Sequence, residues 1–354
     1  MPVARAVTKE ATGMSAIWMQ PISGPKAWRG ETLAGDTSWI ATLTDAEIAD
    51  VDRALAAAKA TGRPREDLRP EDFPLTVMRS RLDQTLAELY DGRGFIVVRG
   101  LPVDRYSDED VGLLFWGLGR HLGSPLYQNP QGELLGHVYD HGRTYGNIDV
   151  RGYETNAYLP YHTDAGDMVG LLCLRRALAG GLSSIVSSVA VHNEILAEHP
   201  EYLGLLYNGF YYIRREAALT ERGVSERPIP VFGCQDGVVS CRYIRNQINA
   251  GAVKRGVPLT MLEQAALDYL DEQTRRPDLR LDMDLQASDI QFINNYTILH
   301  SRTEFVDGPA PQHKRHMLRL WLKFPKPWPL SAEFPTHLGY KPAQDTPVLI
   351  EAER

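Results

Sequence analysis

Tyr161-His162-Thr163-Asp164 sets an imidazole and a carboxylate two residues apart. In extended backbone, residues i and i+2 point to the same side. His162 and Asp164 can therefore face one metal ion while Thr163 faces away. A third ligand has to come from a distant strand. His300 lies 136 positions after Asp164 and follows the apolar run from Ile290 to Leu299, which reads as strand. Two histidines and one carboxylate are the ligand set of mononuclear non-haem Fe(II) oxygenases. Three protein ligands leave up to three open positions on an octahedral ion. Zinc accepts the same set, so on these residues alone a zinc hydrolase and a metal-binding sensor without turnover stay open.

Two arginines follow His300, in Lys314-Arg315-His316-Met317-Leu318-Arg319-Leu320-Trp321-Leu322. In a strand, Arg315 and Arg319 share one face with Met317 and Trp321. A guanidinium turned inward among apolar groups needs an anion. A ligand carboxylate suits it, because arginine grips carboxylates with two parallel hydrogen bonds. The other reading is a structural ion pair.

The whole arrangement resembles the taurine dioxygenase-like family of Fe(II)/2-oxoglutarate-dependent oxygenases. Gly180-Gly181-Leu182-Ser183 is similar to that family's glycine pair followed by a hydroxyl residue. Gly94-Phe95-Ile96-Val97-Val98-Arg99-Gly100 resembles its early strand, and Asp289-Ile290-Gln291-Phe292-Ile293-Asn294-Asn295 the segment that leads into its distal histidine. The resemblance covers roughly residues 85–325. It implies that His162, Asp164 and His300 bind Fe(II), and that 2-oxoglutarate and O2 are cosubstrates. Arg315 would pair with the C5 carboxylate of 2-oxoglutarate, and Ser183 would hydrogen-bond the same group. Arg319 matches a position that reaches an anionic substrate group in some relatives, and Asn156 is a weaker pocket candidate. Arg242, Tyr243 and Arg245 are pocket candidates alongside it, the two arginines reading rather as surface or ion-pair residues. Asp167 reads as a brace for the metal loop. The implied reaction is oxidation, chiefly hydroxylation, of an unactivated C–H bond of a small polar substrate, amino-acid-like or anionic, with release of succinate and CO2. Halogenation is not expected, since Asp164 fills the position that related halogenases leave to a halide. Two departures stand out. Ser183 replaces the usual Thr. Ser288 stands where relatives often carry Gly, so the turn there is expected to avoid positive φ.

Composition agrees with an enzyme acting on small molecules. Of 354 residues, 43% are hydrophobic, ample for a core, and the formal net charge is −7. A sequence pI near 5.8 argues against a nucleic-acid surface. No apolar run approaches the ~20 residues that span a membrane, and residues 1–15 lack the apolar stretch of a secretory signal. Cys173, Cys234 and Cys241 are sparse and form no CxxC, as in a reducing compartment, and all three read as small buried hydrophobes. A cytoplasmic enzyme is the expectation, with a homo-oligomer left open.

The positioning elements follow from periodicity and turn signals. One oxygenase domain over 1–354 is expected: an irregular segment over 1–40, a core over about 85–325 with helical insertions, and an extended segment over 326–354. Helices are predicted from Thr44 to about Lys59, with Thr42 or Thr44 as cap, over Arg79–Tyr90, from Ser107 to about Leu122, over Val191–His199, and over Thr260–Glu272 with Thr260 and Glu263 as a capping box. Strands are predicted over Phe95–Val98, Val169–Leu174, Ser184–Ser188, 211–214, Val238–Tyr243, up to His300, and over Arg315–Phe324. Tyr139, Tyr145, Asn147, Tyr153, Asn156 and Tyr158 are interleaved in a segment that could line a polar pocket. Many short strands separated by turns suit a mainly β fold with flanking α: a double-stranded β-helix (jelly roll, cupin-like) core braced by helices.

Overall fold

The computed structural model describes residues 16–129, 131–144, 150–213 and 223–334. Two sheets carry the fold. The major sheet runs Ile40–Thr42, Phe95–Arg99, Ile290–Asn294, Met168–Arg175, His316–Lys323 and Ser124–Pro125, with Leu135–Val138 also paired on His316–Lys323. The minor sheet runs Arg280–Met283, Ser183–Ser187, Ile298–Arg302 and Leu159–His162. Neighbouring strands are antiparallel except Ile40–Thr42, which lies parallel to Phe95–Arg99. This is the jelly-roll core that the strand spacing predicts.

Alternation along the strands builds three layers. Phe95, Val97, Val169, Ile293, Met317 and Trp321 turn inward and meet Ile185, Leu281, Met283 and Ile298 of the minor sheet. Ile96, Val98, Leu318, Leu320 and Leu322 turn outward, under the helices Asp45–Ala60, Met78–Tyr90 and Asp108–Leu122. Both faces of the major sheet are thus covered, which explains its near-continuous apolar strands. Val186 and Leu299 on the outer face of the minor sheet pack against Val191, Ile195, Leu203, Leu206, Leu267 and Leu270 from three further helices. No helix among the described residues is long and apolar enough to cross a membrane.

Local chemistry sets the helix ends. Thr44 and Thr260 both form capping boxes, with Glu47 and Glu263. The helix Met78–Tyr90 has no cap of its own at Val77. Asp50, from the preceding helix, accepts from the backbone N–H groups of Thr76, Val77 and Met78 instead.

Several expectations are corrected. Pro200 was expected only to stop a helix. It ends Ser188–Glu198 and also begins Pro200–Asn208, where proline at the first turn loses no hydrogen bond. Residues 211–214 do not form a strand: Phe210 and Ile213 make only isolated bridges, and Arg214 lies outside the described residues. Phe232–Gln235 pairs with Val238–Cys241 instead, and a helix occupies Arg245–Arg255. The segment 1–40 is not irregular throughout, since it contains the helical turn Gly30–Leu33 and the start of the strand at Ile40. Ser288 has φ 88°, against the expectation. Its N–H donates to the Cys173 carbonyl, and Asp289 accepts the N–H of Gln286. These bonds over-determine the turn and hold a serine in the left-handed region. Beyond Lys323 the chain lacks regular structure as far as Phe334, yet Trp328 and Phe334 are buried in the helical core. Residues 1–15 and 335–354, with Tyr145 and Asn147, lie outside the described residues. Cys173 and Cys241 are buried and Cys234 is half-buried, all as free thiols.

Candidate metal centre and cosubstrate site

The strand that ends at His162 pairs with the strand of His300, and these two histidines are direct partners across it. Asp164 sits two residues past the strand end, in a loop. Thr163 turns the other way, as expected: it is buried, its N–H donates to the Tyr243 carbonyl (2.8 Å), and its hydroxyl accepts from Tyr243 N–H (3.1 Å). One ligand atom from each of His162, Asp164 and His300 lies within 4.8 Å of the others. His162 Nε2 is 3.8 Å from Asp164 Oδ1, and His300 Nε2 is 3.7 Å from Asp164 Oδ2.

The charge states suit a cation. His162 Nδ1 is 2.8 Å from the Pro160 carbonyl, which can only accept. That nitrogen carries the proton, so the Nε2 lone pair is free for a metal. Burial, with His300 beside it, pushes the His162 pKa down to about 4. Burial alone would raise Asp164, but Arg319 and His300 outweigh it and hold the carboxyl well below its usual range. Neutral imidazole facing an ionised carboxylate is the state a divalent ion binds.

The loop carrying Asp164 is held on two sides. The Asn295 carboxamide accepts from Asp164 N–H (2.9 Å) and donates to the carbonyls of Asp164 and Gly166 (2.7 Å each). Asn295 lies in the turn between Ile290–Asn294 and the strand of His300, so one amide ties two ligand-bearing segments together. On the carboxylate side, Oδ2 accepts from Arg319 Nη1 (3.1 Å) and Trp321 Nε1 (2.9 Å). Arg319 is aimed by Gln128, whose Oε1 accepts from its Nε (2.8 Å), and its guanidinium lies over the rings of Tyr153 and Trp321. Asp167 accepts from the Tyr296 hydroxyl (2.5 Å) and Phe324 N–H (2.9 Å), the bracing role the sequence suggested.

Arg315 is buried beside the glycine pair. Gly180 and Gly181 both have φ 73°, and a Cβ on Gly181 would sit 3.0 Å from Arg315 Nε. Glycine here supplies both the backbone conformation and the room for the guanidinium. Arg315 Nη1 is buried and makes no hydrogen bond among the described residues, and burial lowers the pKa of the group. A buried cation with an unfilled donor calls for an anion. The buried Ser183 hydroxyl has one proton, given to Gln291 Oε1 here (3.2 Å), and rotation of the hydroxyl would turn that proton to a ligand carboxylate. The donor set fits a ferrous ion, and Arg315 fits a dicarboxylate.

The remaining candidates make other contacts. Asn156 is exposed, and its backbone carbonyl accepts from Phe305 N–H. Arg245 forms ion pairs with Asp268 and Asp271, and the Tyr243 hydroxyl donates to Asp271 (2.6 Å). Arg242 lies over the ring of Tyr212. Gln128, Asn295 and the indole of Trp321 are parts of the site to which sequence reasoning assigned no role. Asn295 stood inside a quoted motif and Trp321 on the inward face, while Gln128 carried no local signal.

The family model described as "Taurine catabolism dioxygenase TauD, TfdA family" matches residues 59–321. The chain is 30% identical to FR-33289 synthase of Streptomyces rubellomurinus over 333 residues, which is 92% of this chain and 96% of that protein. It is 30% identical over 308 residues to the taurine hydroxylase-like protein SAT17 of Stachybotrys chartarum, covering 83% of this chain and 77% of that protein. Among solved structures, asparagine oxygenase with Fe(II), 3-hydroxyasparagine and succinate has a TM-score of 0.63 at 18% identity, over 80% of this chain and 93% of that one. The non-haem iron oxygenase OrfP with Fe and alpha-ketoglutaric acid has a TM-score of 0.59 at 17% identity, over 80% and 94%. Descent decides between the iron and zinc readings that the ligand set left open: the chain belongs to the TauD/TfdA family and is a non-haem Fe(II)- and 2-oxoglutarate-dependent oxygenase.

Proposed function

We propose that the protein hydroxylates an unactivated C–H bond of a small polar substrate, amino-acid-like or anionic, with His162, Asp164 and His300 as the Fe(II) ligands. Bound there, Fe(II) with 2-oxoglutarate and O2 supplies the oxidation of the C–H bond, with succinate and CO2 as products. Arg315 and Ser183 bind the C5 carboxylate of 2-oxoglutarate. The observation that carries this reading is the buried Arg315 guanidinium, with an unfilled donor at Nη1. Its two-pronged geometry selects a carboxylate and fixes the orientation of the acid. The Gly180-Gly181 turn leaves the guanidinium room, and Arg315 is buried.

Arg319 gives the substrate an anchor for an anionic group. It reaches Asp164 through Nη1 and Gln128 through Nε, and its Nη2 makes no hydrogen bond among the described residues. Asn156 is a rim contact in the same proposal. Support for an amino-acid-like substrate comes from the ligands of the structural neighbours, 3-hydroxyasparagine and (3S)-hydroxy-L-Arg. Support for an anionic one comes from uridine-5′-phosphate dioxygenase of a Streptomyces species, 31% identical over 42% of this chain.

The test is succinate formation by anaerobically iron-loaded protein given O2 and 2-oxoglutarate, across a panel of amino acids and small phosphorylated, sulfonated and carboxylic acids. Succinate should rise with one compound and vanish in His162→Ala. A compound with no ionised group that drives coupled turnover as well as the acids do would sink the substrate proposal. No 2-oxoglutarate charge-transfer absorption on Fe(II) would sink the ligand assignment.

A further inference from the structure

Trp321 lies two residues after Arg319 on the inward face of the strand His316–Lys323 and is 4% exposed. Its indole N–H is spent on Asp164 Oδ2, at 2.9 Å, and Arg319 Nη1 meets the same oxygen at 3.1 Å. A carboxylate oxygen has two in-plane lone pairs. Two N–H donors fill both. The other oxygen, Oδ1, has no such donor among the described residues and lies 3.8 Å from His162 Nε2, while His300 Nε2 lies 3.7 Å from the doubly hydrogen-bonded Oδ2. The two oxygens of one carboxylate are therefore unequal before any metal arrives.

We infer that Trp321 is a positioning residue for the metal: with Arg319 it occupies Asp164 Oδ2 and leaves Oδ1 as the single metal-binding oxygen. The consequence is a count. A carboxylate bound through one oxygen takes one coordination position, whereas one bound through both takes two and leaves fewer for cosubstrates. The indole also fixes the plane of the carboxylate from a rigid strand, although Asp164 itself lies in a loop. Arg319 contributes the charge and Trp321 the direction. The inference rests on the reading of His162, Asp164 and His300 as ligands.

The experiment is an anaerobic Fe(II) titration of Trp321→Phe in the presence of 2-oxoglutarate, followed by the charge-transfer absorption. Phenylalanine keeps an aromatic ring and removes only the donor and part of the packing. Trp116→Phe is the packing control, since Trp116 is buried and its N–H has no hydrogen-bond partner among the described residues. Loss of a partner to a metal ligand costs roughly 10–100-fold in metal affinity. Fe(II) affinity should fall by that factor in Trp321→Phe and the absorption band should shift, with neither change in Trp116→Phe. Affinity within twofold of wild type and an unmoved band would overturn the positioning role. Wild-type protein without the band would instead take down the ligand assignment, and this inference with it. Should Trp321→Phe lose its fold, the wild-type protein carries the test. Its indole 15N–1H resonances are followed as Zn(II), a diamagnetic stand-in, is added. One indole resonance moving in step with occupancy supports the inference, and none moving defeats it.

Discussion

Arg315 shows how one buried charge can be a demand rather than a bond. Its backbone N–H is satisfied by Asp307 (2.8 Å), but its Nη1 has no hydrogen-bond partner among the described residues. A buried charged donor without a partner calls for an explanation, and a ligand anion supplies one here. Hydrogen bonds to a charged group contribute about 1.5–3 kcal/mol each. Arg315→Ala should therefore weaken 2-oxoglutarate binding at least tenfold, read by anaerobic titration of the charge-transfer absorption, with Fe(II) binding in the absence of 2-oxoglutarate unchanged. Equal losses in both would mean a damaged fold instead. The inward direction of Arg315 and Arg319 followed from parity with Met317 and Trp321, and the structure keeps that parity for Arg319, Met317 and Trp321. Which anion each arginine meets did not follow. Arg319 meets Asp164, a partner 155 positions away that no local pattern names.

Elements hold the site through contacts that cross between them. Asp50 belongs to one helix and caps the next, taking three backbone donors at Thr76, Val77 and Met78. Burial would raise its carboxyl, but these donors and the Thr76 hydroxyl bring its pKa down to about 2. A carboxylate with a lowered folded pKa gives stability that is full above its unfolded value near 3.8. That stability is lost as pH falls through about 2. Asp50→Ala should cost about 2 kcal/mol or more at neutral pH. It should also flatten the acid limb between pH 4 and 2, and denaturant melts across pH would read both. An acid limb identical to wild type would count against the cap. At the glycine turn, Gly181→Ala forces a Cβ into φ 73° and to 3.0 Å from Arg315 Nε. The strain costs on the order of 1 kcal/mol. We expect a lower melting temperature together with weaker 2-oxoglutarate binding, since the guanidinium must shift. Unchanged binding would show that the turn gives way instead. Near Thr44 a local signal showed a helix start, with the cap left between Thr42 and Thr44, and the capping box at Thr260 was readable because its partner lies three residues away. The cap at Asp50 was not, because its partners lie 26 to 28 residues away.

At the scale of the molecule, metal and cosubstrate would join parts that are distant along the chain. His162 and His300 sit on adjacent strands of the minor sheet, Arg315 and Arg319 adjoin and join the major sheet, and the ligand site lies between. Ligands that bind only the folded state stabilise it by mass action, by about 2.7 kcal/mol at a hundredfold excess over the dissociation constant. Fe(II) and 2-oxoglutarate together should raise the anaerobic melting temperature more than either alone. His300→Ala should abolish the gain from Fe(II). A gain that persists in His300→Ala would place the ion elsewhere. Arg99 and Asp289 give the same lesson without a ligand. Both were quoted as parts of separate motifs, and they form a two-bond ion pair, 2.8 Å at each contact, across 190 positions.

What the chain determined by itself is whatever depends on near neighbours. The alternation of His162 with Thr163, the inward parity of Met317, Arg319 and Trp321, and the caps at Thr44, Ser107 and Thr260 depend on backbone geometry within a few residues. So does the apolar run Val169–Leu174, which reads as a strand. The type of chemistry was legible for a different reason: few ligand sets suit a given ion, and this chain carries one of them. Only the tertiary structure decided which groups complete that set. The Asn295 clamp, the Gln128 support of Arg319 and the Trp321 bond to Asp164 each join segments far apart in sequence. Such contacts are fixed by strand register and sheet packing, in which a shift of one residue would turn every side chain to the other face. The positive φ of Ser288 was decided the same way, by hydrogen bonds to Cys173 and Gln286 that outweigh the local preference of serine.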